Sequence, residues 1–173
     1  MIHSCQVQRH PLSERRDDLY ETPPMTVEAL LRVEPLPHRL WEPACGRGSI
    51  VNALLAHAHE IVVSDLVNHG VPVTPPGYYG VDFVLEWKAP DGCECIISNP
   101  PFKLAEEFAA HALMLCPRVV MLLRLAFLES ERRREILEGR GLARVHVFRR
   151  RLRMMQTLRV VRPPRREGDL VRR

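Results

Sequence analysis

The chain lacks any uninterrupted apolar run approaching the ~18 residues of a membrane span, so no membrane helix is expected. It lacks a cysteine framework. Five cysteines, an odd number, are scattered at Cys5, Cys45, Cys93, Cys95 and Cys116. That excludes a disulfide-stapled module and points to a reducing compartment. The first residues, Met1-Ile2-His3-Ser4-Cys5, carry no basic segment followed by an apolar one. No secretory leader is therefore expected, and the cytoplasm is the expected location. Aromatic residues are scarce at 6%, and none follows Phe148. There is no internal repeat. At 173 residues the chain is one domain, or one domain with a tail, and too short for a catalytic domain plus a full recognition domain. What remains is ordinary globular composition, 46% hydrophobic and 27% charged, which excludes a wholly disordered chain.

The net charge of +4 conceals an asymmetry. From residue 139 onward twelve Arg stand against Glu167 and Asp169, a balance of +10. Residues 1–138 hold 13 basic and 19 acidic residues, a balance of −6. A basic segment of this kind either holds phosphates or is a solvated tail.

Alternating elements run along the chain. Thr26 is placed to cap a helix over Val27–Arg32, closed by Pro35 and Pro37. His38–Trp41 predicts a strand that enters the glycine-rich turn Glu42-Pro43-Ala44-Cys45-Gly46-Arg47-Gly48. Ile50, Val51, Leu54 and Leu55 fall at helical spacing within 49–57. Ile61–Val63, running into Ser64-Asp65, and Cys95–Ile97 have the continuous apolar character of buried parallel strands. Residues 67–80 predict a loop and Val81–Leu85 an edge strand. Leu104, Phe108, Ala112 and Leu115 share one side of a helix over 104–116. Val119–Leu125 predicts a strand, 130–138 a charged helix ended by Gly139 and Gly141, and Ala143–Phe148 a further strand. Strands alternating with helices imply an α/β fold with a mostly parallel sheet. Ligands of such sheets sit beyond the carboxyl ends of the strands. Glu42–Gly48, Asp65 and Asn99–Phe102 all fall there.

Each of these segments has a chemistry. Glycines let backbone approach a ligand, and the following helix offers unpaired N–H groups to an anion. The dinucleotide pattern G-x-G-x-x-G would need glycine at 51, where Val51 stands. Asp65 lies 19 residues after Gly46, the distance at which a carboxylate accepts from ribose hydroxyls. The plainer alternative is a strand-end cap. In Asn99-Pro100-Pro101-Phe102, two prolines fix the direction of the Asn99 side chain and the Pro100 carbonyl. Together those oxygens can accept both hydrogens of an exocyclic amine, and Phe102 can stack on a planar group. The alternative is a rigid strand-to-helix connection with a core Phe.

Glu42–Gly48, Asp65, Asp82-Phe83 and Asn99–Phe102, in that order, resemble the motifs of class I S-adenosylmethionine-dependent amino-methyltransferases. The nearest likeness is to small phage and prophage N6-adenine DNA methyltransferases. Tyr20-Glu21-Thr22-Pro23 resembles that group's Tyr-x-Thr-Pro cofactor motif, and Leu122–Glu129 is also similar. The likeness covers residues 20–155, leaving 1–19 as an N-terminal extension and 156–173 as a basic, Pro/Arg-rich tail. It implies a Rossmann-like three-layer sandwich and S-adenosyl-L-methionine as cofactor. Tyr20, Thr22 and Pro23 would flank the methionine part of that cofactor. Glu42, Ala44, Gly46 and Gly48 would shape its pocket, and Asp65 would hold its ribose. Asp82 would accept from its adenine amine, with Phe83 lining that ring. Asn99 and Pro100, stiffened by Pro101, would hold the target amine, and Phe102 would stack on the target base. The implied partner is DNA, with the base flipped or single-stranded. Asn-Pro-Pro-aromatic is shared with some ribosomal-RNA and protein-glutamine methyltransferases. Those activities stand as alternatives, as does a degenerate remnant that only binds nucleic acid.

The chain departs from that group at its C-terminus, where an aromatic-rich final strand is replaced by Arg and Pro. The expectation is a sheet without its last strand, which would leave an exposed edge, and a truncated or disordered tail. Other residues take no functional role. The spacings of Cys93-x-Cys95 and His57-x-His59 fit no common zinc pattern, so no metal is expected. His111 is expected on the surface. Arg132, Arg133 and Arg134 are expected on a solvated helix face with i,i+4 partners. Cys45 and Cys116 are expected to be small buried residues.

Overall fold

A strand buried on both faces must be apolar at every position, not at alternate ones. The strand Cys95–Ser98 is buried at all four positions and apolar at the first three. It lies inside the sheet of the computed structural model, which describes residues 20–71, 77–139, 142–150, 152 and 155–156. The elements run β1 (Tyr20–Glu21), α1 (Pro24–Leu31), β2 (Arg39–Glu42), α2 (Ser49–Leu55), β3 (Glu60–Asp65), β4 (Tyr78–Tyr79), β5 (Cys95–Ser98), α3 (Ala105–Leu115), β6 (Val119–Met121) and β7 (Met155–Gln156). Five of the strands form one parallel sheet in the order β4-β3-β2-β5-β6. β1 and β7 pair antiparallel outside it.

Successive side chains on a strand point to opposite faces. Leu40, Cys95 and Ile97 turn to one face, where Val27 of α1 and Ile50 and Leu54 of α2 cover them. Trp41 and Ile96 turn to the other, against Phe83 and against Phe108 and Ala112 of α3. Leu40, Leu54 and Ile96 are almost wholly enclosed. Burying each contributes about 1.5–3 kcal/mol. Helices thus cover both faces of a parallel sheet, an α/β architecture compatible with the expected Rossmann-like fold. The expected apolar face of α3 is also present, with Leu104 in the turn before it. No helix among the described residues is long and apolar enough to cross a membrane.

The order reverses between β2 and β5. From β2 the chain winds outward through β3 and β4, then returns to add β5 and β6 on the other side. Carboxyl ends on either side of such a reversal bound a crevice, where ligands of open α/β sheets bind. Glu42 is the last residue of β2, and Asn99 follows the last residue of β5.

Several local expectations are corrected. α1 begins at Pro24, because proline at the first helical position needs no N–H partner. Thr26 does not cap it; its buried hydroxyl has no partner. Val81–Leu85 is not a strand. Phe83–Leu85 forms one 3-10 turn, with Leu85 N–H donating to the Asp82 carbonyl at 2.9 Å. A strand would send residues 83 and 85 the same way, whereas Phe83 is buried and Leu85 exposed. The edge strand is instead β4, within the expected loop, opposite Ser64 and Asp65. β6 stops at Met121, four residues short of the expectation. The 130–138 helix is replaced by a 3-10 turn, Glu131–Arg133, and a π-type turn, Glu135–Gly139. Arg133 draws that region inward, donating to the Phe127 carbonyl at 2.9 Å and lying over the Phe127 ring. Residues 1–19, Gly141 and 157–173 lie outside the described residues.

Ala143–Phe148 forms no strand, and among the described residues none adds beyond β6. Glu34, buried after α1, accounts for this. Arg118 holds its carboxylate at 2.8 Å, Arg144 at 2.6 Å and His146 at 3.4 Å. Alternation puts Arg144 and His146 on one side and leaves Val145 and Val147 exposed on the other. The segment is fastened by its polar side, opposite to what sheet packing needs. These bonds, led by that from Arg144, draw the Glu34 carboxyl down to about 2.

Candidate functional site

The glycine turn after β2 has the geometry its residues require. Gly46 and Gly48 both take left-handed backbone, at φ 53° and 81°. Gly48 is the N-cap of α2, and a Cβ there would fall 2.5 Å from Cγ1 of Val71. Only glycine fits both the dihedral and the contact.

Asp65, at the end of β3, braces this turn. One carboxylate oxygen accepts from Gly46 N–H at 2.8 Å and the other from Val67 N–H at 2.9 Å. The strand-end reading is therefore realised.

Beside the turn opens a small, open cleft lined by Glu21, Thr22, Glu42, Ala44, Cys45, Arg47, Ser49, Ile50 and Asn99. It sits at the strand reversal.

Two buried oxygens on the cleft's lining residues, Glu42 Oε2 and Asn99 Oδ1, have no hydrogen-bond partner. Burial first, and the nearby Asp65 charge second, push the Glu42 carboxyl well above the usual carboxylate range. The same causes, in the same order, raise the Cys45 thiol, making it an inert wall rather than a nucleophile. Asn99 donates its Nδ2 to the Tyr20 carbonyl at 3.1 Å. Its oxygen is the end left over. An unpaired buried acceptor costs about 1–3 kcal/mol, relieved when a ligand donates to it.

Pro100 is almost fully enclosed. Phe102 is half-buried, and the Tyr20 ring packs on it with centroids 4.8 Å apart at 31°. The Arg124 guanidinium lies 5.9 Å from the same ring.

Of the residues singled out by sequence, Thr22, Glu42, Ala44 and Asn99 line the cleft together. Tyr20 and Phe102 stack beside it. Pro23 caps α1, and Pro101 opens the turn into α3. Gly46, Gly48 and Asp65 build the turn from behind. Asp82 follows β4 toward the sheet's edge and is not a lining residue of the cleft. Phe83 is a core residue, 2% exposed, packed among Trp41, Phe108 and His111. His111 is not a free surface side chain; its Nε2 bonds the Glu86 carbonyl at 2.9 Å. Sequence reasoning did not single out Glu21, Arg47, Ser49 or Ile50 as lining residues. Their only signal is position, inside or next to the two recognised motifs.

Among the described residues no group of three His, Cys, Asp or Glu is placed to hold a metal ion. Cys93 and Cys95 have thiols pushed up to about 12 by burial, and His59 bonds the Pro37 carbonyl. Cys45 and Cys116 are small buried residues, as expected. Arg134 has the expected i,i+4 partner, Glu138, at 3.1 Å, but Arg132 and Arg133 turn to Glu106 of α3 instead. No protein-family model matches the chain, and no curated protein is significantly similar to it.

Proposed function

We propose that the protein is a class I S-adenosylmethionine-dependent methyltransferase acting on the N6 amine of adenine in DNA. The observation that carries the reading is the buried, partnerless Asn99 Oδ1, beside the partnerless Glu42 Oε2, at the reversal of a parallel sheet. A site with an unused amide oxygen selects a ligand that brings N–H or O–H donors. S-adenosylmethionine and an adenine amine both bring them.

The residues present fit the cofactor. Thr22, Glu42 and Ala44 line the cleft, beside the glycine turn that Asp65 braces. When bound, the cofactor supplies an electrophilic methyl group on a sulfonium, which leaves as a neutral thioether.

The chain's own residues hold the amine. An adenine amine is a weak nucleophile because its lone pair is delocalised into the ring. The Asn99 Oδ1 and the Pro100 carbonyl accept its two hydrogens, which favours a pyramidal nitrogen and localises that pair. The nitrogen gains the methyl and loses one proton to water, so no strong base is required. Positioning does most of the work. Phe102 supports the base plane.

Calorimetric titration of S-adenosylmethionine tests the first half, with Asp65→Ala as control. Saturable binding lost in that variant supports the pocket; no binding to the folded protein refutes it. Mass spectrometry of nucleosides from treated DNA tests the second half. N6-methyldeoxyadenosine that disappears with Asn99→Ala is the expected result. Methylation of ribosomal RNA or of protein glutamine instead would reassign the substrate.

A further inference from the structure

β1 is two residues long and lies outside the five-stranded sheet, yet three contacts tie it to the site. The Tyr20 carbonyl accepts from Asn99 Nδ2 at 3.1 Å, and the Tyr20 ring packs on Phe102. The Glu21 carboxylate meets Arg47 of the glycine turn at 3.6 Å. β1 is itself held by β7, with Tyr20 opposite Gln156 and Glu21 opposite Met155.

A carboxamide is nearly symmetrical in shape and opposite in chemistry at its two ends. A half-turn about its last torsion exchanges donor for acceptor. Asn99 is useful as an acceptor only with Oδ1 toward the ligand, and the bond from Nδ2 to the Tyr20 carbonyl selects that orientation. Proline at 100 and 101 sets the backbone and leaves this torsion undetermined.

We propose that the β1–β7 pair is the positioning device for the Asn99 carboxamide. Tyr20 is the positioning residue, through its backbone carbonyl. Met155 and Gln156, more than fifty residues beyond Asn99, complete the site by holding β1 in place. Only the consequence for methyl transfer rests on the function proposed above; the orientation itself does not.

Met155→Pro in the full-length chain tests this. Proline forces φ near −65°, against about −140° in an antiparallel strand, and removes an N–H. The Asn99 side-chain NH2 signals, assigned through Asn99→Asp, report the bond directly. Their exchange with solvent is expected to quicken about tenfold in Met155→Pro, the order one buried hydrogen bond confers. Methyl transfer at saturation is expected to fall about tenfold while S-adenosylmethionine affinity stays within about twofold, and Met155→Pro is expected to change nothing further in an Asn99→Asp background, where Tyr20 has no N–H to accept. Unchanged exchange overturns the proposal, as does an equal rate loss in the Asn99→Asp background. If Met155→Pro does not fold, Gln156→Gly, which only loosens the pair, decides by the same readings. A protein that transfers no methyl group but shows the exchange change refutes the function and leaves the positioning standing.

Discussion

Gly48→Ala isolates the contact that shapes the turn behind the cleft. Two costs are expected from the structure. Gly48 sits at φ 81°, where a residue with a Cβ costs about 1–2 kcal/mol. The new methyl also falls 2.5 Å from Val71 Cγ1, and Val71 is packed with Cys45, Val51 and Val63. It cannot simply swing away, and overpacking of that kind costs about 1–3 kcal/mol. The sum, about 2–5 kcal/mol, lowers Tm by about 5–15 °C for a chain of this size. Urea unfolding monitored by circular dichroism measures it. Val71→Ala separates the two parts, because it removes the methyl that is struck. In that background Gly48→Ala should cost only the dihedral share, about 1–2 kcal/mol, a coupling of about 1–3 kcal/mol between neighbours. A neutral Gly48→Ala, or costs that add with no coupling, would refute this account of the turn.

Other expectations follow from the same contacts. Glu34 has a carboxyl drawn down to about 2, below its unfolded value, so it contributes stability above about pH 4.5 that is lost as pH falls toward 2. Urea midpoints measured from pH 6 down to 2 should therefore fall more steeply in the native chain than in Glu34→Gln. Asp65→Ala leaves the Gly46 and Val67 N–H groups without their acceptor, costing about 1–3 kcal/mol for each that stays buried, and should abolish S-adenosylmethionine binding in a titration. Glu42→Gln replaces a carboxyl whose ionised form burial opposes. Because the folded-state value is raised, the native chain loses stability as pH rises above the ordinary carboxylate range, and the variant should show a higher unfolding midpoint at pH 8. Ala58, at φ 60°, closes a Schellman turn after α2, with His59 N–H on the Leu54 carbonyl and Ala58 N–H on that of Leu55. Ala58→Gly should raise stability by about 0.5–1 kcal/mol in the same unfolding assay, glycine's own entropy offsetting part of the gain.

The two unpaired oxygens and the braced turn give the site opposite mechanical characters. Gly46, Gly48 and Asp65 are locked by backbone bonds and close packing. Glu42 and Asn99 carry unrelieved polar cost in the absence of a ligand. Such cost is commonly kept at functional sites and offset by the surrounding fold.

The sheet and its order of motifs were legible because they rest on local chemistry. Continuous apolar runs mark parallel strands, and Leu104, Phe108 and Ala112 recur at helical spacing. Gly46 and Gly48 announce left-handed backbone, and the turn adopts it at both. Asn99 and Glu42 were singled out from their motifs, and both line the cleft.

What stayed hidden depended on residues far away in the chain. Ala143–Phe148 has a strand's alternation, but Glu34, 110 residues before Arg144, takes its polar side and prevents that use. Phe83 belonged to a cofactor motif by resemblance, yet Trp41, Phe108 and His111 form an aromatic nest that draws its ring inward. The partnerless oxygens, and the carbonyl of Tyr20 that orients Asn99, cannot be read from any local pattern. Local sequence determines which conformations each segment favours. Which groups are left without partners is a property of the whole enclosure, and only the packed chain decides it.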